Sequence, residues 1–424
     1  MSDYFDRVEA QIVRNVEAGL PRPSHRPNVS AYLAVAAAAA VVIVVAGAIL
    51  LARGSSPITP PAASHPVTVT FKATAIESNA RVGDLDPVVA ILRDRLGSVF
   101  PGARVSRAGN EIVVTAPNAN ADTRAGVIAV VTTRAQLDFY DWEANVITPN
   151  GKTVASQLQT QDPTAIAISQ GADTGAPGQP GAGSMNLYDA VTLASRQPPA
   201  AGRTNSRITP QYWMFGAPGS AACGTAARAR RTALPTGEHC LLAGPDDSRE
   251  ALLSGLPAGV RASNGQILVV PRGTVVLQAI PASFSNPPSL DDPSGRFFVL
   301  KDNVALYGSD ITNPKAGSDP NAHVPMVSFG FTNRGKNEFQ TVTANIARRG
   351  EEVSSPGQTL NQHFAVALDN RLITVPFIGF KQYPNGINGD KGADIGGSFS
   401  AGYARDLATI LRYGPLPVAL TETG

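Results

Sequence analysis

GGSFSAGYARDLATILRYGPLPVAL, residues 396–420, is the stretch from which the fold can be read. Ser400 stands where a helix N-cap accepts a free backbone amide. Behind it Tyr403, Leu407, Ile410 and Leu411 recur at the spacing of one helical face. Arg412 falls in the last turn, where a cation suits the carbonyl end of the dipole, and Gly414 supplies the C-terminal cap. LPVALTE then alternates as a strand. A capped amphipathic helix feeding a strand predicts helices packed on a sheet rather than an all-helical or all-strand chain.

The same rhythm runs backwards from this stretch. PMVSFGFT reads as a strand, followed by a helix with Asn333 as its cap and Phe339, Val342 and Ile346 on its inner face. QHFAVALDNRLITVPF reads as two strands about an Asp369-Asn370 turn. Nearer the start, VTVTFKA is a strand, and Pro87 opens a helix capped by Asp84 or Asp86 with Val88, Ile91, Leu92, Leu96 and Val99 inward. A hairpin about Ala108-Gly109-Asn110, a helix over residues 122–133 and the strand AQLDFYDW complete that block, with Leu137 and Phe139 on one face. Both blocks run strand, helix, strand, strand, helix, strand. The expected fold is therefore α+β, with two ferredoxin-like βαββαβ units at residues 67–145 and 297–421. Between them, residues 146–296 hold GADTGAPGQPGAGS and no long periodic run, which predicts a loop-rich inserted subdomain with QILVV and GTVVLQAI as strands.

Residues 31–52, AYLAVAAAAAVVIVVAGAILLA, contain no ionisable side chain. A helix of that length reaches about 30 Å, the thickness of a bilayer core. A buried core helix would rarely lack a polar face for so long, and a cleaved signal would follow a shorter leader than residues 1–30. The stretch is read as an uncleaved single-span anchor. Arg22, His25 and Arg26 precede it and Arg53 follows, which places the N-terminal tail in the cytoplasm and the bulk of the chain outside. Residues 53–66 form a Pro/Ser tether.

A formal net charge of +2, with no recurring basic stripe, gives no nucleic-acid footprint. The two cysteines, Cys223 and Cys240, are expected to pair as a disulfide in an oxidising compartment. No nucleophile elbow, P-loop, dinucleotide fingerprint or HExxH occurs, so no enzyme activity, cofactor, metal or small-molecule substrate is expected. His363 reads as a packed or edge residue of its strand. Asp141 and Glu143, flanking Trp142, read as solvated charges, and NGINGDKGAD (residues 385–394) as an enlarged hairpin tip rather than a calcium loop.

Three segments resemble the extracytoplasmic part of SecD, the accessory subunit of the bacterial preprotein translocase: VSFGFTNRGKNEF (327–339), AVALDNRLITVP (365–376) and the opening stretch. The residues that carry the family pattern are Phe329, Gly335, Phe339, Leu368, Asp369, Pro376, Gly397, Phe399, Ala404, Arg405, Asp406, Leu407, Leu411, Arg412, Gly414 and Pro417. LYGSDI (306–311) is a weaker echo, and residues 86–118 are similar to the family's first periplasmic half. The resemblance implies a membrane-anchored accessory in Sec-dependent protein export. Its partners would be translocase subunits and unfolded exported chains. The family's further membrane helices, implied in proton coupling, have no counterpart in this sequence, so any force is expected to come from a partner. The alternative is an envelope structural or interaction module that keeps the fold and has left the translocase.

Overall fold

The structure is a computed structural model that describes residues 66–75, 84–117, 121–172, 183–200, 210–230, 237–279, 290, 295–320, 323–356, 358–396 and 400–423. The expected tail, the apolar stretch 31–52, most of the tether, and Gly397 and Phe399 lie outside these residues. Among the described residues no helix is long and apolar enough to cross a membrane.

Strands Val67–Ala75, Arg104–Ala108 and Glu111–Ala116 and helices Asp86–Val99 and Ala121–Thr132 follow the expected order. Asp84 accepts the Asp86 amide at 3.0 Å, Pro87 stands in the first turn, and Gly109 at φ 64° makes the hairpin. Alternation puts Val69, Phe71, Ala73, Ile112 and Val114 on one face, which buries against Val88, Leu92, Leu96, Val127 and Val131 of the two helices.

The fourth strand of this sheet is not Leu137–Asp141. It is Val418–Glu422, antiparallel to Val67–Ala75 with Phe71 opposite Glu422 and Ala75 opposite Val418. The sheet order is Val418–Glu422, Val67–Ala75, Glu111–Ala116, Arg104–Ala108. Burial explains the exchange. A sheet with helices on one face needs a strand with one apolar side, and Val418 and Leu420 provide it. Leu137, Asp138, Phe139 and Tyr140 are all buried, so that strand requires a layer on both sides.

It finds both in a large mixed sheet of order Leu306–Tyr307, Leu137–Asp141, Gln362–Leu368, Arg371–Thr374, Thr274–Ala279 and Arg296–Lys301, to which Phe377–Ile378 adds a short pairing. One face packs Leu137, Phe139, Phe364 and Val366 against helices Asn333–Val353 and Ala401–Tyr413; the other packs Tyr140, Ala365, Leu277 and Leu300 with Trp142, Val154 and Leu158. A three-stranded sheet (Ile311–Ser318, Pro325–Phe331, Ala393–Gly396) shares the first of these cores. The strands expected to close a unit over residues 297–421 are thus divided among three sheets. The stretch expected to be loop-rich holds regular elements, among them helix Leu187–Ser195 and the sheet Cys240–Asp246, Gln211–Gly216, Gly265–Val270. Thr274–Ala279, buried at every residue, ties it to the large sheet by parallel pairing with Arg371–Thr374. Thr332, not Asn333, caps the long helix, accepting the Gly335 amide at 3.0 Å.

The chain leaves the first sheet at residues 133–136 and re-enters it at 414–416. Leu416 donates its amide to the Arg134 carbonyl at 2.8 Å, so the two passages run side by side. Arg95, fully buried on helix Asp86–Val99, donates to the Thr133 carbonyl at 2.6 Å, the Arg134 carbonyl at 3.4 Å and the Gly414 carbonyl. Burial lowers its pKa to about 10, against the raising effect of the nearby Asp369 carboxylate, so it stays cationic at neutral pH.

Leu420→Ala is expected to cost about 2–5 kcal/mol, read as faster amide exchange across Val67–Ala75, while Phe139→Ala leaves those amides unchanged. The opposite pattern would put Leu137–Asp141 in the first sheet.

Candidate functional site

Phe329, Phe339, Leu368, Ala404, Leu407 and Leu411 of the pattern residues converge on one core rather than on a cleft. Phe329 and Phe339 join Phe331, Phe364 and Phe139, with ring centroids 4.8 Å apart for Phe331–Phe339, 5.5 Å for Phe339–Phe364 and 5.6 Å for Phe139–Phe364. Ala404, Leu407 and Leu411 bury into the same core, as does Leu368. Gly335 is fixed by close approach, since a Cβ there would lie 2.5 Å from the Asp310 carbonyl. Gly414 at φ 77° makes the cap that the sequence predicts. Asp369 (φ 50°) and Asn370 (φ 61°) form the left-handed hairpin turn, and the Asp369 carboxylate accepts the Ala135 and Gln136 amides at 3.1 and 2.8 Å. The Pro376 carbonyl accepts the Phe364 amide at 2.9 Å. Arg405, Asp406, Arg412 and Pro417 are exposed, with Arg412 reaching the Pro314 carbonyl at 3.4 Å.

A second cluster corrects the sequence reading of Asp141 and Glu143. Neither is a solvated charge: Glu143 is fully buried and the Asp141 side chain is 13% exposed. The Glu143 carboxylate receives the His363 Nδ1 at 2.5 Å, the His363 amide at 2.8 Å and the Ser169 hydroxyl at 3.0 Å. Gln362 donates to Ser169 at 3.1 Å, and Arg349 spans Gln362 and Asp141. His363 is a packed strand residue, as expected. The sequence signal that was available, an acid on each side of a tryptophan at a strand end, does not distinguish burial from exposure. Burial pushes the Glu143 carboxyl up, but the His363 charge and hydrogen bonds, with Arg349, outweigh it and hold it below its ordinary range. For Asp141 burial wins over Arg349, and the pKa is raised. The cluster fastens helix Asn333–Val353, strand Gln362–Leu368 and helix Pro163–Ala172 to the end of strand Leu137–Asp141. Being closed to solvent, its chemistry is cohesion.

Cys223 and Cys240 form a disulfide that staples helix Ala221–Arg230 to strand Cys240–Asp246. Gly216 leaves room for both sulfurs, since a Cβ there would come within 3.0 Å of each. Beside it, His239 stacks on Tyr188 with centroids 3.8 Å apart, and the Tyr188 hydroxyl meets Gln266 Oε1 at 3.1 Å. Gln266 belongs to strand Gly265–Val270. Among the described residues that strand pairs only with Gln211–Gly216, and its Val269 is exposed. Among the described residues no cluster of His, Cys, Asp and Glu could hold a metal ion.

Residues 285–418, which contain Phe329, Phe331, Phe339 and Phe364 of the phenylalanine core and the Asp369 turn, match the family model described as SecDF, P1 head subdomain. Over those residues the chain is similar to a SecDF P1 head. SecD of Rickettsia typhi is 34% identical over 126 residues, which is 29% of this chain and 20% of that protein. SecD of Acetobacter pasteurianus is 34% identical over 142 residues, 33% of this chain and 23% of that protein. The chain therefore spans 20% and 23% of the length of these two relatives. A solved structure, described as a membrane component SecDF that enhances protein export, aligns over 84% of this chain and 98% of its own at 16% identity, with a TM-score of 0.36.

Glu143→Gln leaves His363 without its buried counter-charge and is expected to cost about 3–5 kcal/mol in urea unfolding. The folded pKa of Glu143 lies below the ordinary 4.5. Its contribution is therefore complete above that value and lost as the pH falls through the lower folded value. The stability of Glu143→Gln should fall less steeply than wild type over this acid window; equal slopes would remove Glu143 from the network. Replacing both cysteines by alanine, which opens a loop with a sequence separation of 17, is expected to lower stability by about 3 kcal/mol, read in the same unfolding experiment with and without reductant.

Proposed function

We propose that this protein is a membrane-anchored, extracytoplasmic SecD-like accessory in Sec-dependent protein export, contacting chains as they emerge from the translocase. The observation that carries the reading is the P1 head match over residues 285–418, which supply most of the phenylalanine-rich core. The relatives described as protein translocase subunit SecD agree with it. In this reading residues 31–52 hold the chain in the membrane, with the N-terminal tail in the cytoplasm. The disulfide suits an oxidising exterior. The first sheet with its two helices, closed by Val418–Glu422, is a ferredoxin-like base, and the large sheet with its flanking layers is the head that the base presents.

The protein acts by contact rather than catalysis. Strand Gly265–Val270, an edge strand among the described residues, offers what an extended chain needs: backbone groups along an edge and apolar side chains beside it. Main-chain pairing is tolerant of sequence, which suits a partner that must accept many exported chains.

A photo-crosslinker at Val269 of the full-length protein tests this during export of a stalled secretory chain. Adducts to the stalled chain or to a translocase subunit are expected, with few from the same crosslinker at Val99 on the base. Export-dependent adducts to neither class of partner would overturn the reading and leave an envelope module outside the translocase.

A further inference from the structure

Strand Gly265–Val270 lies outside residues 285–418, so what it binds is set by this chain's own residues. All of its residues pair with Gln211–Gly216 on one side, and among the described residues its other side is an open edge. The strand, GQILVV, carries no charge, and its apolar side chains point to both faces. Val269 is exposed and Ile267 half-buried on one face of the sheet. Leu268 is half-buried on the other, where Tyr188 packs on the same core and meets Gln266 with its hydroxyl. A strand added at this edge would find apolar neighbours on both faces. Its centre therefore has to be a continuous uncharged run rather than an alternating one, roughly 20 Å long to match the 6 residues of the edge.

Charge stands at the two ends instead. Arg261 precedes the strand, its amide held by the Asn264 side chain at 2.6 Å, and Arg272 follows it, its carbonyl accepting the Ala200 amide at 2.9 Å. Both side chains are exposed. The sheet's own acid, Asp246, belongs to the strand at the opposite edge. This arrangement disfavours a second copy of the chain as the occupant. Two copies joined edge to edge about a two-fold axis would run antiparallel and bring the Arg261 end of one onto the Arg272 end of the other, cation against cation. It favours an occupant of the opposite charge at its ends. We infer that this edge takes extended, unfolded segments with an uncharged apolar centre and acidic residues at both ends, and discriminates against the same segments with basic ends. The inference rests on the reading of this strand as the contact edge, and adds to it a rule for which stretches of a passing chain are held.

Fluorescence anisotropy of labelled peptides on the full-length protein in detergent tests the rule. The probes share the centre Val-Ile-Thr-Val-Ile-Val and carry either Asp-Asp or Lys-Lys at both ends. At low salt the acid-ended peptide is expected to bind about tenfold tighter than the lysine-ended one, with the gap closing as salt is raised. Arg261→Gln combined with Arg272→Gln, both at exposed positions, should remove most of that preference. Methylating the central backbone nitrogens of the acid-ended peptide should abolish its binding, because no ladder can then form. Equal affinity for the two peptides, a preference that survives in the double variant, undiminished binding of the methylated peptide, or binding of neither peptide would overturn the inference. Adducts at Val269 during export without any end preference would sink the charge rule and keep the contact edge. An end preference without export adducts would keep the rule and sink the export role.

Discussion

Strand Val418–Glu422 must return to strand Val67–Ala75. Strand Val67–Ala75 is the second strand of a four-stranded sheet whose outer neighbour is Val418–Glu422, so over three hundred residues of sequence separate two hydrogen-bonded partners. Everything between helix Ala121–Thr132 and the last strand is held as one long excursion with both ends tied to the same small body. Two consequences follow from that single constraint. The excursion has to build its own core, and its two ends have to pass each other at a joint. The structure meets the first with a large sheet buried on both faces, and the second with Arg95, whose guanidinium collects carbonyls from both passages.

Within the excursion, polar groups are placed where layers join. Glu143, His363, Gln362, Ser169 and Arg349 belong to four different segments and satisfy one another in a largely buried space. Such a network is costly to assemble and more costly to break in part, which makes it a device for uniqueness of arrangement rather than for raw stability. The phenylalanine core on one face of the large sheet supplies the apolar counterpart. In the proposed function, an edge that receives many different chains would benefit from this rigidity, because a prepared edge binds without first being ordered.

Much of the local structure was legible in the sequence. Ser400 and Gly414 delimit their helix, Asp369-Asn370 turns its hairpin, and Phe339, Val342 and Ile346 face inward, because caps, turns and periodicity are properties of a few neighbouring residues. Pairing across the chain was not legible in the same way. VALTE and LDFYD both read as strands, and alternation says only which side chains lie together, not which partner strand they meet. The deciding difference is that Asp138 and Tyr140 are buried along with Leu137 and Phe139, which depends on what the large sheet places behind them. The charges of Asp141 and Glu143 were misread for a related reason: their partners Arg349 and His363 lie more than two hundred residues away. Arg95 drew no reading from the sequence, and only the meeting of the two passages shows what it holds.

The central claim is that the large sheet and its layers are an excursion from a sheet closed by strand Val418–Glu422, and a cross-strand disulfide measures this most directly. Lys72 and Thr421 are paired residues of the two strands, both exposed. Cysteines at these two positions should link on mild oxidation in the folded, full-length protein, without loss of the native Cys223–Cys240 bond. If Lys72→Cys fails to link to Thr421→Cys but links readily to Asp138→Cys, the first sheet is closed by Leu137–Asp141 and this account of the fold is wrong.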